Sequence, residues 1–511
     1  MAQEVNGATG AAASPASADE VDGAAANRAT ATGFFRQNPR QWSRAAWPSD
    51  RIGLTLRTLD AVPPARMALW LYVLACAILL LVGFAVRFRT GAAALEADEA
   101  EYLGLSSEIM RGIWHLSPRR TLAFPALLAG IRSLWDDLLF LQVVVAAIFA
   151  LSAPALFALV RRLTCSTAIA AVAAVAFVLW PPAIYYGVSL YSETLALPVF
   201  LAALALLPPG TRVADGMAAG TRAGIDTALL RAPWRHALFA GMMLGFAAHV
   251  RPMYLLFLPV LVLIVLIEER RVAIALRRTA IVLAGFALVV LPWSLYMSQR
   301  HERVILLTAN GGETLAGGLT PRLLTPAGRY TIRTDDRTTW VGPGKWLPMH
   351  DNGYLSAQEQ TLPYTQVDGL LQKRTFAWIA ADPAQAAFIE IRKLSYMWGI
   401  YPFAGNGTRQ WLFGNLPTLF VLALSLAFLL TSRTARVALP RLWMLALFVS
   451  GVALISWGSW RFRQPADAGL LAFVACNLCW RLRRHLPARR ADDGESGDPP
   501  RADGGLTTTI S

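Results

Sequence analysis

The chain has 511 residues, 55% of them hydrophobic and only 16% charged, with a mean hydropathy of +0.44. That balance excludes an ordinary soluble globular protein and predicts an all-α, polytopic membrane protein. The net charge of +14 is gathered in clusters between apolar runs, a pattern of membrane topology and anionic-lipid contact that argues against nucleic acid as a partner.

Residues 1–65 are rich in Ala, Gly, Ser, Thr and Asp, then carry Arg and Trp up to Pro63-Pro64. Without a long apolar core or a signal-peptide pattern, they are expected to form a disordered cytoplasmic tail. A helix needs ~20 apolar residues to cross a bilayer. Ten runs approach or exceed that length: 67–87, 138–160, 166–187, 192–208, 236–250, 253–267, 273–297, 411–431, 438–457 and 465–480. Arg251-Pro252 separates two of the shorter ones, so a single broken helix there is the alternative, and it would change the parity.

Arginine position favours ten. With the amino terminus inside, the inner connections carry Arg161-Arg162, then Arg212, Arg222, Arg231 and Arg235, then Arg270-Arg271 with Arg277-Arg278. The next inner loop has Arg433, Arg436 and Arg441, and the tail over 481–511 opens with Arg481, Arg483 and Arg484. Every inner loop is basic, as the positive-inside rule expects, and both termini are then cytoplasmic. The chain accordingly divides into a bundle over 66–297 holding seven spans and the outside loop 88–137. An extracytoplasmic cap over 298–410 and three last spans over 411–480 follow.

The loop 88–137 contains two helical stretches, 97–112 and 121–135, expected to lie along the membrane surface. The cap has glycine and proline clusters (Gly311-Gly312, Gly317-Gly318, Gly342-Pro343-Gly344) and an amphipathic stretch at 384–400. Cys476 and Cys479 make a CxxC within the last run, and two thiols alone make no zinc site, so packing is expected. His115, His236 and His249 have no partners at metal-ligand spacing. Asn406-Gly-Thr408 reads as an ordinary turn.

Charges that break the topology rule carry the functional information. Leu95 to Leu103 holds four carboxylates, Glu96, Asp98, Glu99 and Glu101, just after the first apolar run. On the same expected outer side lie Glu193 in Tyr191-Ser-Glu-Thr194, Arg251 in His249-Val-Arg-Pro252, and Arg461 and Arg463 in Trp460-Arg-Phe-Arg-Gln-Pro465. Ionisable groups at a membrane boundary are costly and tend to mark a site. A carboxylate there can take a proton from a hydroxyl, and arginine can hold a phosphate and the charge that grows on it. The plainer readings are a helix cap for Glu193, a bundle-locking salt bridge for Arg251, and headgroup snorkelling for Arg87, Arg89, Arg461 and Arg463.

The motifs in their order are Asp98-Glu99-Ala-Glu-Tyr102, Ser192-Glu193, Arg251-Pro252, Pro292-Trp293 before Thr308-Ala-Asn-Gly-Gly312, and Arg461-Phe-Arg-Gln-Pro465. Together they resemble the polyprenol-phosphate-sugar-dependent membrane glycosyltransferases of the GT-C superfamily, a group that includes protein mannosyltransferases and aminoarabinose transferases. The likeness covers roughly 67–480. It departs from the family's Lys/Arg-Pro-Pro in the first loop, where this chain has Arg119-Arg120-Thr121.

With the ten runs, fewer spans than the family often has, the resemblance implies a GT-C-like bundle in a bacterial inner membrane, with its active site facing the periplasm. It implies Asp98 as the base that activates the acceptor, with its neighbour Glu99 sharing or supporting that role. Arg251, Arg461 and Arg463 would hold the lipid-linked phosphate, and Tyr102, Glu193 and Asn310 would support the site. Its donor would be a polyprenyl-phosphate sugar, and its acceptor a lipid, glycan or protein of the cell envelope, with inversion at the transferred sugar. No cofactor is firmly implied. The acidic cluster could hold a divalent metal, but none is expected. A flippase for lipid-linked sugar, or a ligase or polymerase using a polyprenyl diphosphate, are the rival readings.

Overall fold

The computed structural model describes residues 58–89, 95, 97–113, 118–211, 233–324, 330–334, 337–341, 346–400 and 415–485. Residues 1–57 and 486–511 of the two tails, Glu96, His115, most of the 209–232 connection, Gly342-Pro343-Gly344 and the Asn406 turn lie outside them, while 58–61, 64–65 and 481–485 of the expected tails are helical. Helix predominates, and helices lie at all ten apolar runs. Among the described residues, three helices are long and apolar enough to cross a membrane: α1 (Pro64–Arg89), α4 (Leu138–Thr164) and α10 (Val272–Arg300). The pair α5 (Thr167–Val178) and α6 (Pro181–Gly187) would make a fourth, bent by 63° where Pro181 and Pro182 interrupt the backbone ladder. The remaining apolar helices are shorter.

Between α1 and α4 lie α2 (Ala97–Met110) and α3 (Ala123–Leu134), which pack together with Tyr102 edge-on to Phe124 at 5.0 Å. Acidic residues in the first turn of α2 suit the positive end of its dipole. The central strut is α7 (Glu193–Leu206), whose apolar side chains are buried on nearly every side, as befits a helix without a polar stripe. Beside it, α8 (Pro233–Val250) packs closely on α10. A Cβ on Gly241 would collide with the Val282 carbonyl, and one on Gly285 with the Leu238 carbonyl, so small residues set the helix separation as they do between membrane helices.

The Arg251-Pro252 break is a reversal. Arg251 is extended, a 3₁₀ turn (Pro252–Leu256) follows, and α9 (Phe257–Glu268) then runs back along the bundle. Its end meets the far end of α7. There Arg441, at the start of α16 (Pro440–Ile455), donates to both oxygens of Glu268 at 2.6 and 2.7 Å and to the carbonyls of Leu207 and Pro208. Arg278 adds Glu269 at 2.9 Å. A guanidinium is thus placed on the last carbonyls of α7, where the dipole favours positive charge.

The cap consists of α11 (Gly311–Gly318), α12 (Tyr364–Ala381) and α13 (Pro383–Met397) around Leu319, Leu323, Leu347 and Ile389. It also contains an antiparallel hairpin, β1 (Tyr330–Thr334) and β2 (Arg337–Val341), with Tyr330 opposite Val341. Threonines and branched residues in this short pair favour strand within an otherwise helical chain. After α14 (Leu416–Thr431), α15 (Arg433–Ala438) and α16, a 3₁₀ turn (Trp460–Arg463) leads into α17 (Gln464–His485).

Removing Arg441 would strand Glu268 in the interior beside Arg278. Arg441→Met is expected to destabilise the chain by about 3–5 kcal/mol, and the double change with Glu268→Leu to regain much of that. Thermal unfolding in detergent reads both. An Arg441→Met chain that melts like the native one would show that this cluster does not hold the helix ends.

Candidate functional site

The acidic stretch 98–102 divides by helical spacing. Residues three apart share a face of α2, so Asp98 and Glu101 look one way, with side chains 27% and 26% exposed. Glu99 and Tyr102 look inward and are buried. Glu99 accepts from Arg87 at 3.0 Å and from the Leu190 backbone N–H at 2.7 Å. Arg87 also donates to Ser189 at 3.1 Å. Two expectations change here. Glu99, with both oxygens engaged in the interior, fastens α2 to the 189–192 turn and is no candidate proton acceptor, and Arg87 does not snorkel. Tyr102 donates to Ser192 at 3.2 Å and strengthens the same seam.

Four arginines meet the remaining carboxylates. Asp98 accepts from Arg461 at 2.7 Å through one oxygen and from Arg120 at 2.8 Å through the other. Glu193 pairs with Arg251 and with Arg461, both at 2.6 Å. Ser192 makes no cap for α7 and instead accepts from Arg251 at 3.0 Å. The cap reading of Glu193 is therefore overturned by its two guanidinium partners. Glu101 takes Arg120 at 2.6 Å and Arg119 at 2.9 Å. Arg119 then grips Glu313 of α11 with a fork, at 2.8 and 3.0 Å, and the Tyr364 hydroxyl donates to the same carboxylate.

The result is one chain of alternating charge, Arg251–Glu193–Arg461–Asp98–Arg120–Glu101–Arg119–Glu313. It runs from the end of the bundle into the cap. Aromatic faces back it, with Arg461 4.3 Å from the Tyr191 ring centre and Arg251 4.7 Å from that of Phe462, contacts that hold a cation without neutralising it.

Arg463 does not join this chain. In a 3₁₀ turn, residues two apart point to different sides, and Arg463 is buried on Asp467 at 2.8 Å and the Met397 carbonyl at 2.6 Å. Asp467 also accepts from Trp180 at 2.9 Å. Its expected role as a phosphate holder gives way to that of a lock between the turn, α17 and α13. Asn310 is half-buried and accepts from Thr308 at 2.7 Å. Its side chain makes no hydrogen bond to the charge chain among the described residues, although the Ala309 N–H reaches the Pro118 carbonyl at 2.6 Å beside Arg119. Asn310 does not cap α11 either; Asp368 does, accepting from the Glu313 N–H at 2.9 Å.

Arg119, Arg120, Glu313 and Asp368 were not singled out from the sequence. The two arginines carried a usable signal, since they too are basic residues on the expected outer side. Burial pushes the Asp98 carboxyl up, but Arg461 and Arg120 outweigh it and hold it far below the usual carboxylate range. Among the described residues, no three His, Cys, Asp or Glu side chains converge as a metal site would require. Comparison with protein-family models, with curated proteins and with solved structures gives no match for this chain.

Asp368 titrates the other way. Burial raises it to about 6, against the opposing pull of the Glu313 N–H and Arg303. The unfolded chain releases this proton at about pH 3.9, so between about pH 4 and 6 the native state binds more protons and Asp368 lowers stability as pH rises. Asp368→Asn keeps an acceptor for the Glu313 N–H and removes that loss. It is expected to melt with the native chain at pH 4 and to be on the order of 1–2 kcal/mol more stable at pH 8. Equal melting temperatures at pH 8 would contradict the assignment.

Proposed function

We propose that the chain is an integral-membrane glycosyltransferase, moving a sugar from a polyprenyl monophosphate to an acceptor on the extracytoplasmic face. In this reading about ten helices cross a bacterial inner membrane, both termini are cytoplasmic, and the charge chain lies at the outer headgroup level. The observation that carries it is the meeting of Asp98, from the loop after the first helix, with Arg461, 363 residues later, at 2.7 Å, beside Arg251 and Glu193. A phosphate monoester and a carboxylate compete for the same guanidinium fork, and arginine binds either through paired hydrogen bonds.

The chemistry follows from that competition. A donor phosphate takes Arg461 and Arg120, and Arg251 adds its charge from behind Glu193. Asp98, released from two cations, regains base strength and faces the incoming acceptor hydroxyl. It accepts the hydroxyl proton as the acceptor oxygen bonds to the anomeric carbon. The bond from that carbon to the phosphate oxygen breaks, and the guanidinium groups stabilise the charge left on the phosphate. Attack opposite the leaving group inverts the sugar. Glu99, Tyr102 and Glu193 position Asp98 and Arg461 without meeting the substrate.

Transfer of labelled sugar from a polyprenyl monophosphate, in membranes carrying each variant, tests this. Asp98→Asn is expected to slow transfer about 10²–10⁴-fold, and Arg461→Ala about 10²–10³-fold. Full activity in Asp98→Asn would remove the proposed base.

A further inference from the structure

Helix α13 has two unlike sides. Ala386, Ile389, Lys393 and Met397 are buried against the cap and bundle, whereas Phe388 and Ile391 on the other side are exposed, Ile391 by 64%. Phe376 of α12 and Ile400 just beyond α13 are exposed as well. A soluble surface rarely gathers several large apolar side chains without a partner.

The depth of α13 names the partner. Lys393, fully buried, donates to the carbonyls of Leu454 and Ser456 at 3.0 and 3.1 Å, closing the end of α16. Trp398 donates to Ser450 at 3.1 Å, roughly 8 Å farther down α16 at 1.5 Å per residue. The last turns of α13 therefore overlap an apolar helix along a stretch where Leu447, Leu454 and Ile455 are themselves exposed. Phe388 and Ile391 belong to the same helix that packs along α16. Arg392 lies 5.0 Å from the Phe388 ring centre, so a basic side chain flanks the apolar ridge, as is common for interfacial helices.

We infer that α13 is an interfacial helix, seated through Phe388 and Ile391 in the phospholipid headgroup layer at the site end of the bundle. The same helix grips the arginine turn. Arg463 donates to the Met397 carbonyl, Trp460 to the Tyr396 carbonyl at 3.1 Å, and Lys393 fixes the residues leading into the turn. The bilayer surface thereby sets the height at which Arg461 meets Asp98. The inference rests on membrane-embedded helices and stands whether or not the site transfers sugar.

The test labels single cysteines, introduced by Phe388→Cys, Ile391→Cys and Ala357→Cys, with an environment-sensitive fluorophore. Residue 357 is exposed on the cap, and the chain without an added cysteine corrects for Cys76, Cys165, Cys476 and Cys479. The full chain is placed in nanodiscs of phosphatidylcholine and phosphatidylglycerol carrying lipids spin-labelled at shallow or deep positions. Labels at 388 and 391 are expected to be quenched at least three-fold more than the label at 357, and more by shallow than by deep quenchers. Quenching equal to that at 357 would overturn the inference. So would protection of both labels in detergent together with cross-linking to a second copy, because the ridge would then be a protein interface.

Discussion

Arg461 stands between two carboxylates, Asp98 at 2.7 Å and Glu193 at 2.6 Å, and the architecture of the site end depends on that bridge. Asp98 belongs to the first loop, Glu193 to the central helix and Arg461 to the turn before the last helix. Three distant segments are drawn to one place by a cation that none of them could leave unpaired in the interior. Neighbouring contacts extend the bridge outward, through Arg251 on one side and through Arg120, Glu101 and Arg119 on the other. At the opposite end of α7, Glu268, Arg441 and Arg278 form a second buried cluster around the helix carbonyls. The central helix is thus held at both ends, but only the site-end cluster has side chains open to their surroundings.

That difference separates a fastening from a site. Glu268 and Arg441 are fully enclosed and are hydrogen-bonded to one another, and Arg441 also to carbonyl oxygens of the α7 end. Asp98, Glu101, Arg119 and Arg120 are each a fifth to a third exposed, so an arriving anion can exchange with a carboxylate without an unpaired charge being buried. Under the proposed function, the engagement of both its oxygens at rest keeps Asp98 a weak base until a donor phosphate takes its arginines. The charge chain ends in the cap, where the Arg119 fork on Glu313 joins the first loop to α11.

Much of this was legible in the residues. Charges on the wrong side of the topology expected from the sequence singled out Asp98, Glu193, Arg251 and Arg461, and all four meet. The period of α2 would have separated Asp98 from Glu99, whose inward direction follows from sharing a face with Tyr102. Arg463 was misassigned because two arginines in one turn look alike until the 3₁₀ geometry sends them apart. Glu313 and Asp368 could not be found locally. Their importance comes from Arg119 and from the first turn of α11, pairings between distant segments that no spacing announces. The Arg251-Pro252 break was ambiguous for a related reason. A proline ends a helix without saying whether the chain turns back, and here the contacts of Glu268 with the far end of α7 decide it.

The most direct measurement is a double-mutant cycle on Asp98→Asn and Arg461→Gln, read by thermal stability in detergent with and without a saturating polyprenyl monophosphate. Without lipid the two residues are expected to couple by about 1–3 kcal/mol. With lipid bound, the coupling is expected to fall toward zero as the phosphate replaces Asp98 on the guanidinium. Additive effects without lipid, or a coupling that the lipid leaves unchanged, would contradict the exchange on which the account rests.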